Sequence, residues 1–324
     1  MRSLFILLFF YSSFYSFGYH IFEHDCMGTK FIIKIDEDNG LKAKKGAIAA
    51  FKEADRLNLI LSDYEDSSEL SRFSKSSSTG EKFRLSKDLY TILTHGQKLA
   101  NETKGDFDVT VGPLSRLWRI ARFRKRIPPQ EKLTAAMERV GYNHLKLLSN
   151  ERAGRLGVNG MILDLGGIAK GFAADRMLYS LKNAGLRRCL IDAGGDLVTG
   201  DPPRDKEGWR IRIGGNQHPD LPILNVSNQA VATSGDIEQF VLIGDEKFSH
   251  LINPSTGLGL TSRSQVTVVT SSGMEADSLA SACLVLGVEK TKLLLAERPQ
   301  TSAYFLHCRG KKNYLNIIKP VERK

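Results

Sequence analysis

The segment from Leu163 to Asp175 combines an acid, two adjacent glycines and a lysine at a predicted strand-to-helix corner. Glycines at such a corner let backbone N–H groups approach a ligand closely. The helix that follows favours negative charge at its first turn, and Lys170 adds a positive charge within reach of a pyrophosphate. The segment matches neither the dinucleotide fingerprint nor the P-loop. The pattern indicates a phosphate-binding corner, and the alternative is a tight structural corner with a solvated lysine.

A carboxylate and a hydroxyl on one predicted helix form a second candidate. Asp277 and Ser281 stand at positions i and i+4, so both oxygens lie on one face. Such a pair suits a hard cation such as Mg²⁺, which keeps waters and phosphate oxygens as its other ligands. The alternative is an ordinary polar face, with Ala280 and Ala282 packed inward.

Two further clusters carry candidate chemistry. His250 precedes a Pro-Ser-Thr-Gly turn, where it is either a general base near neutral pH or a hydrogen-bonded structural residue. Asp106, Phe107 and Asp108 offer two acids and a ring, which form either a stacking wall or a turn that feeds a strand. The chain shows no Cys/His zinc spacing and no nucleophile elbow.

The elements that must position these residues alternate irregularly, which favours an α+β fold with mixed sheets and flanking helices over a doubly wound sheet. Helical spacing and caps predict helices over 41–61, 87–101, 130–140, 171–183 and 273–297, the last broken at Gly287. Strands are predicted over 30–35, 107–111, 189–193, 209–213, 239–242, 265–270 and 301–306. Residues 74–79 and 201–208 are predicted to be polar loops.

Residues 1–18 have the features of a secretory signal peptide. Arg2 provides the positive end, Leu4–Phe17 is apolar, and small residues predict cleavage after Gly18. The run is shorter than the ~20 residues of a spanning helix, and the alternative is an uncleaved membrane anchor. We therefore expect an exported, periplasmic protein, in an oxidising compartment, whose folded domain is residues 19–324.

The chain is basic, with a net charge of +10 and a pI of about 9.4. Such a surface suits nucleic acid, anionic lipid or nucleotide phosphates. The basic residues are scattered except for one concentration at 116–126. We interpret that concentration as a solvated helix face or loop, and the alternative is contact with an anionic membrane surface.

In combination and order, eight clusters resemble one family, and the resemblance covers about Met27 to the C-terminus. The clusters are Met27-Gly28-Thr29; Ser62-x-Tyr64 with Ser68-Glu69-Leu70-Ser71; Gly105-x-Phe107-Asp108-Val109-Thr110 with Pro113-Leu114-x-x-Leu117-Trp118; Asp164-x-Gly166-Gly167-x-Ala169-Lys170-Gly171; Asp192-Ala193-Gly194-Gly195-Asp196; Thr233-Ser234-Gly235-Asp236; His250-x-Ile252-x-Pro254-x-x-Gly257; and Ala276-Asp277-x-Leu279-Ala280. They are similar to those of the FAD:protein FMN transferases, the ApbE family.

The resemblance implies a mixed α+β domain of its own type with FAD, the substrate, in a deep cleft. It implies that Mg²⁺ assists cleavage of the FAD pyrophosphate, that FMN is attached to a Thr or Ser of an acceptor flavoprotein, and that AMP is released. Typical acceptors are subunits of membrane redox complexes, so we expect association with the inner-membrane surface and no nucleic-acid partner. An FAD pyrophosphatase and a non-catalytic exported flavin-binding protein are the alternatives.

The resemblance also assigns site residues. The residues implied to contact FAD are Met27, Tyr64, Asp106, Phe107, Asp108, Asp164, Lys170 and Leu251. The metal would be bound by the Gly167 carbonyl, Asp277 and Ser281, where the family commonly has Thr at the last position. Either His250 or Asp277 would take the proton of the acceptor hydroxyl.

Overall fold

The computed structural model describes residues 18–215, 218–235, 240–309 and 312–319. Helices and antiparallel strands are interspersed in this part of the chain, which confirms the predicted α+β class. The helices are α1 (Gly40–Leu61), α2 (Glu69–Lys75), α3 (Lys87–Glu102), α4 (Gly112–Arg124), α5 (Gln130–Met137), α6 (Ala169–Asn183) and α7 (Gly273–Leu295). The strands are β1 (His20–Cys26), β2 (Thr29–Ile35), β3 (Phe83–Arg84), β4 (Leu145–Leu148), β5 (Ala153–Leu156), β6 (Cys189–Ala193), β7 (Leu197–Thr199), β8 (Trp209–Arg212), β9 (Ile223–Val226), β10 (Ala230–Gly235), β11 (Phe240–Ile243), β12 (Glu246–Ser249), β13 (Ser264–Thr270), β14 (Ser302–Arg309) and β15 (Lys312–Ile318).

The main sheet has eight strands in the order β1-β2-β6-β7-β10-β13-β14-β15, and each neighbouring pair is antiparallel. Its first hairpin pairs Cys26 with Thr29 and turns at Met27 and Gly28. Both turn residues have positive φ, 51° and 72°, as a type I′ turn requires. This turn holds Met27 at the edge of the candidate site.

The two faces of the main sheet bury different partners, because alternate side chains of a strand point to opposite faces. Helices α1, α6 and α7 pack on one face, where Ile191 joins the largest core. On the other face, Leu190 packs with Trp209 and Ile211 of the small β8–β9 sheet. Because both faces are covered, the sheet is a stable base for the loops at its edges.

A separate apolar cluster joins α4 and α5 to the β11–β12 hairpin. Its centre is Trp118, which is fully buried with its ring centroid 5.3 Å from that of Phe248. The Trp118 indole N–H donates to the Gly257 carbonyl at 2.8 Å. This cluster fixes α4 beside the turn that follows His250.

Most predicted elements are confirmed. The predicted helices 41–61, 87–101 and 171–183 correspond to α1, α3 and α6, and α7 is broken at Gly287, which has φ 73° and ψ 177°. Helix α5 ends three residues before the predicted 140. The predicted strands 30–35, 189–193 and 265–270 correspond to β2, β6 and β13.

Two local predictions are wrong. Residues 107–110 form a bend and a turn rather than a strand, since the Asp108 carboxylate accepts hydrogen bonds from the Thr110 backbone N–H and hydroxyl, and Val111 makes an isolated bridge to Ile162. Residues 74–79 are largely helical, and buried Ser74 and Ser77 bond the backbone of residues 160–163. The strand predicted at 301–306 is confirmed as β14, which continues to Arg309 and is followed by β15.

The predicted signal peptide, residues 1–18, lies outside the described residues except for Gly18. Within the described part of the chain, no helix has both the length and the apolar character needed to cross a bilayer.

Candidate active-site cleft

A cleft of about 540 Å³ is lined both by the edge of the main sheet and by α4 with the turn after β12. The structure brings every residue predicted for the site to this cleft. Those residues are Met27, Tyr64, Asp106, Phe107, Asp108, Asp164, Gly167, Lys170, His250, Leu251, Asp277 and Ser281. Asp236, part of a quoted cluster, lies outside the described residues.

The first turn of α6 meets the first turns of α7 at one end of the cleft. The Gly171 N–H donates to the Asp277 carboxylate at 3.0 Å. The two backbones are so close that a Cβ on Gly171 would lie 2.0 Å from the Gly273 carbonyl oxygen. Glycine at 171 therefore lets a buried carboxylate reach the positive end of α6.

A lysine and two buried acids are grouped at this end. The Lys170 ammonium forms an ion pair with Asp196, which is 3% exposed. Burial opposes the charge on Lys170, but the nearby Asp277 and Asp196 together raise its pKa. Burial and Asp196 raise the pKa of Asp277 to about 7, against the lowering effect of Lys170. The group holds its carboxylates in low dielectric, where a cation is strongly attracted.

Asp277 and Ser281 lie on one face of α7, as their spacing predicts. The Ser281 hydroxyl is 3.1 Å from the Ser234 hydroxyl, and a Cβ on Gly167 would lie 2.9 Å from Ser281 Oγ. The backbone at Gly167 therefore packs directly against Ser281. Carboxylate, hydroxyl and carbonyl oxygens are hard donors that fit Mg²⁺. No group of three or more His, Cys, Asp or Glu in the described residues is placed to hold a metal, so such a cation would complete its shell from water and phosphate oxygens.

Arg119 of α4 organises the opposite wall. Its guanidinium bonds Asp63 at 2.5 Å, lies 3.6 Å from the Asp164 carboxylate, and stacks 3.9 Å from the Tyr64 ring centroid. Burial and the charge of Asp164 raise the pKa of Asp63, while Arg119 lowers it. Arg119 thus joins the loop before α2 to the loop before α6.

Arg122 lies one helical turn further along α4. Its Nη2 approaches the His250 carbonyl at 3.5 Å, and its buried Nε has no hydrogen-bond partner among the described residues. Burial lowers the pKa of Arg122. His250 is half-buried, and next to it the Leu251 N–H donates to the Ser249 hydroxyl at 3.0 Å. Arg122 therefore brings additional positive charge close to His250.

The Asp106-Phe107-Asp108 segment forms a turn at the cleft wall. Asp108 is buried and accepts three hydrogen bonds, two from Thr110 and one from the Tyr142 N–H, at 2.7–2.8 Å. Asp106 pairs with Lys290 at 3.1 Å. Phe107 is therefore the apolar residue of this segment at the cleft wall. The ion pair of Asp106 and the hydrogen bonds of Asp108 stabilise the turn that holds it there.

Three functional candidates were missed as site residues from the sequence: Asp63, Arg119 and Asp196. Asp63 and Asp196 stand inside or beside quoted clusters, and that proximity was the available signal. Arg119 belongs to the basic concentration at 116–126, which gave no sign of which arginines face inward.

Comparison with known proteins agrees with this geometry. The model of the ApbE family matches residues 27–305. An FAD:protein FMN transferase of Vibrio cholerae is 32% identical over 274 residues, which cover 82% of this chain and 80% of that protein. One from Klebsiella pneumoniae is 27% identical over 289 residues, covering 86% and 81%.

Solved structures give the same result. The flavin transferase ApbE from Vibrio cholerae has a TM-score of 0.79 at 27% identity, covering 92% of this chain and 96% of that one. The apo form of the flavinyl transferase ApbE from Pseudomonas stutzeri has a TM-score of 0.80 at 25% identity, covering 93% and 95%. The fold and the cleft define an enzyme of the transferase class. The chain belongs to the ApbE family.

Proposed function

We propose that the protein is an Mg²⁺-dependent FAD:protein FMN transferase that links FMN to a Thr or Ser hydroxyl of an acceptor flavoprotein and releases AMP. The observation that carries the proposal is the meeting of Lys170, Asp277 and Ser281 in one cleft, at the N-terminus of α6. The family match and the names of the relatives support the same reaction.

The reaction balances without an oxidant or reductant. The acceptor oxygen forms a bond to the phosphorus of the FMN half, and the bond from that phosphorus to the bridging oxygen breaks. The bridging oxygen leaves with AMP, and the hydroxyl proton passes to a base. Attack by a neutral hydroxyl on a pyrophosphate depends mainly on positioning and charge neutralisation.

The cleft supplies both requirements. In this proposal Asp277, Ser281 and the Gly167 carbonyl hold Mg²⁺, which neutralises phosphate charge when bound. Lys170, oriented by Asp196, contacts the pyrophosphate, and the positive end of α6 adds to the favourable field. His250 or Asp277 takes the proton, since both lie at the cleft.

The rest of the cleft binds the FAD rings and sugar in this proposal. Tyr64 and Phe107 provide ring faces, while Met27 and Leu251 provide apolar contacts. Asp164 accepts the Gly166 N–H at 2.8 Å and so fixes the loop in front of Lys170, in addition to contacting the nucleotide.

The test is an assay with FAD, Mg²⁺ and a flavoprotein domain that carries an acceptor Thr, comparing wild type with Asp277→Asn. We expect the wild type to increase the acceptor mass by one FMN minus water, with one AMP released per label. Asp277→Asn should lower the rate at least a hundredfold, because its amide can still accept the Gly171 N–H but carries no charge for the cation. Asp66→Asn, at an exposed ion pair, is the matched control and should keep full activity.

Other outcomes of the same assay decide against the proposal. Free FMN and AMP without acceptor labelling would identify a pyrophosphatase, and intact FAD would identify a binding protein.

We also propose that the protein is exported and acts on membrane redox subunits, on the basis of the signal-like residues 1–18. Cell fractionation tests export, and the intact mass of the purified enzyme distinguishes cleavage after Gly18, which removes those residues, from an uncleaved anchor.

A further inference from the structure

Helix α4 and the residues that follow it carry a surface that is both apolar and basic. We name the α4 ridge as its exposed residues Arg116, Ile120, Phe123, Arg124, Lys125, Arg126 and Ile127. Phe123 is 90% exposed, and Ile120 and Ile127 are 52% and 45% exposed. Ile120 and Phe123 are three positions apart, so they lie on one side of α4, and Ile127 follows three residues after the helix ends at Arg124.

The charge of the ridge has one sign. Residues 112–130 contain no Asp or Glu, and 116–126 contain six Arg or Lys. Arg116, Arg124, Lys125 and Arg126 are exposed, and none forms an ion pair with another described residue. These cations are therefore available to a negatively charged partner outside the protein.

Neighbouring faces of α4 belong to the core and to the cleft. Trp118 anchors the helix through the Gly257 carbonyl, and Arg119 and Arg122 line the cleft wall. Tyr64, stacked on Arg119, is 75% exposed. The α4 ridge consequently lies on the outside of the same helix that forms one wall of the cleft.

We propose that the α4 ridge docks the protein on an anionic phospholipid surface. The cations pair with lipid phosphates while Phe123 and the two isoleucines enter the boundary between headgroups and acyl chains. Charge complementarity and projecting apolar side chains favour a bilayer as the partner, because interfacial insertion requires no matching shape. Docking would place the cleft beside acceptors in that membrane, and this consequence rests on the proposed function.

The test measures binding to phosphatidylcholine vesicles with and without phosphatidylglycerol by co-sedimentation. We expect binding of the wild type to require phosphatidylglycerol and to weaken with added salt. Ile120→Ser/Phe123→Ser should weaken binding by roughly tenfold. Arg124→Gln/Lys125→Gln/Arg126→Gln should weaken it by about fivefold for each removed cation.

Matched controls come from exposed positions away from the α4 ridge. Leu41→Ser/Leu293→Ser removes two apolar side chains that are 75% and 77% exposed. Lys44→Gln/Lys45→Gln/Lys52→Gln removes three exposed cations of α1. Both controls should bind vesicles as the wild type does. Any contribution of residues 1–18 is the same in all variants, so it cancels in the comparison.

Vesicle binding that does not depend on phosphatidylglycerol, or that the ridge variants leave unchanged, would overturn the proposal. If the ridge variants bind vesicles normally but fail to transfer FMN to a soluble acceptor domain, the ridge contacts the acceptor protein instead. Transfer in solution is assayed for every variant, and we expect the ridge variants to retain it. A wild type without transfer activity would refute the proposed function and leave the vesicle result standing.

Discussion

At the scale of single residues, Tyr64 combines high exposure with a fixed position. Its ring is 75% exposed and lies 3.9 Å from the Arg119 guanidinium, which Asp63 holds in turn. An exposed ring contributes little to the core, so its removal affects stability only slightly. A guanidinium beneath the ring limits its motion, which prepares one ring face for stacking.

Tyr64→Ala should therefore raise the KM for FAD roughly tenfold, the order expected for loss of one aromatic stacking contact. The midpoint of thermal unfolding should change little. Initial rates over a range of FAD concentrations and a thermal melt measure the two quantities.

Tyr64→Phe keeps the ring face and serves as the control, with a KM near that of the wild type. An alanine variant that binds FAD as well as the wild type would remove Tyr64 from the FAD site. If Tyr64→Phe raised the KM for FAD as much as Tyr64→Ala does, the hydroxyl of Tyr64 and not its ring face would contact FAD.

The residues of the cleft were predictable from sequence to the extent that they stand in ordered clusters. Lys170, Asp277 and Ser281 were found through local spacing, because a corner and an i, i+4 pair are encoded within a few residues. Arg119 and Asp196 were not, because their roles depend on partners 56 and 26 positions away. Contacts between residues so far apart are set by tertiary packing.

At the scale of elements, the crossing of α6 and α7 sets the geometry of the candidate metal site. The first turns of the two helices approach so closely that Gly171 faces the Gly273 carbonyl. Asp277 bonds the Gly171 N–H across this contact. A side chain at 171 would force the helices apart and move the carboxylate from its position.

Gly171→Ala should destabilise the fold by about 2–4 kcal/mol, since its Cβ would lie 2.0 Å from a backbone oxygen that cannot rotate away. Urea denaturation measures the free energy of unfolding. Gly40→Ala, in the first turn of α1, is the control, because its Cβ would meet only the His20 ring at 3.1 Å. Equal free energies of unfolding for the two variants would show that α6 and α7 can move apart at this contact without loss of stability.

The bounds of secondary-structure elements were predicted most accurately where the periodic spacing of apolar residues extends over many residues. Helix α1 and helix α3 were bounded within about one residue, because their apolar spacing and the Ser86 cap agree. The prediction of a strand at 107–111 was wrong because the alternating pattern of this segment also fits a turn in which the Asp108 carboxylate accepts hydrogen bonds from Thr110. Side chain–backbone bonds of this kind compete with strands and leave no periodic signal.

At the scale of the whole molecule, the sheet order joins distant parts of the chain. Strand β6 pairs with β2 and β7 pairs with β10. Neither pairing follows from local pattern, since strand alternation specifies which side chains face inward and not which strand is adjacent. The sequence pattern predicted the α+β class, while the strand order is a property of the complete fold.

Asp175 links the stability of the whole molecule to pH. Its carboxylate, on α6, accepts the N–H groups of Gly273 at 2.6 Å and Met274 at 2.9 Å. Burial raises its pKa from 3.8 to about 6, although these two hydrogen bonds lower it. Between these values the folded protein holds a proton that the unfolded chain has lost. The contribution of Asp175 to the free energy of unfolding therefore falls as pH rises from about 4 to 6, then stays constant.

The measurement compares the free energy of unfolding of wild type and Asp175→Asn by urea denaturation at about pH 5 and about pH 8. We expect the free energy of unfolding of the wild type, minus that of Asp175→Asn, to be larger at about pH 5 than at about pH 8. The change between these two pH values is at most about 1.4 kcal/mol, because only the titration between about pH 5 and 6 lies between them, and it is smaller in practice because the side chain is partly exposed. The exposed Asp66→Asn control should not reproduce this pH-dependent change. A difference that instead grew toward the higher pH would mean that the backbone N–H groups at the start of α7 outweigh burial and stabilise the charged carboxylate.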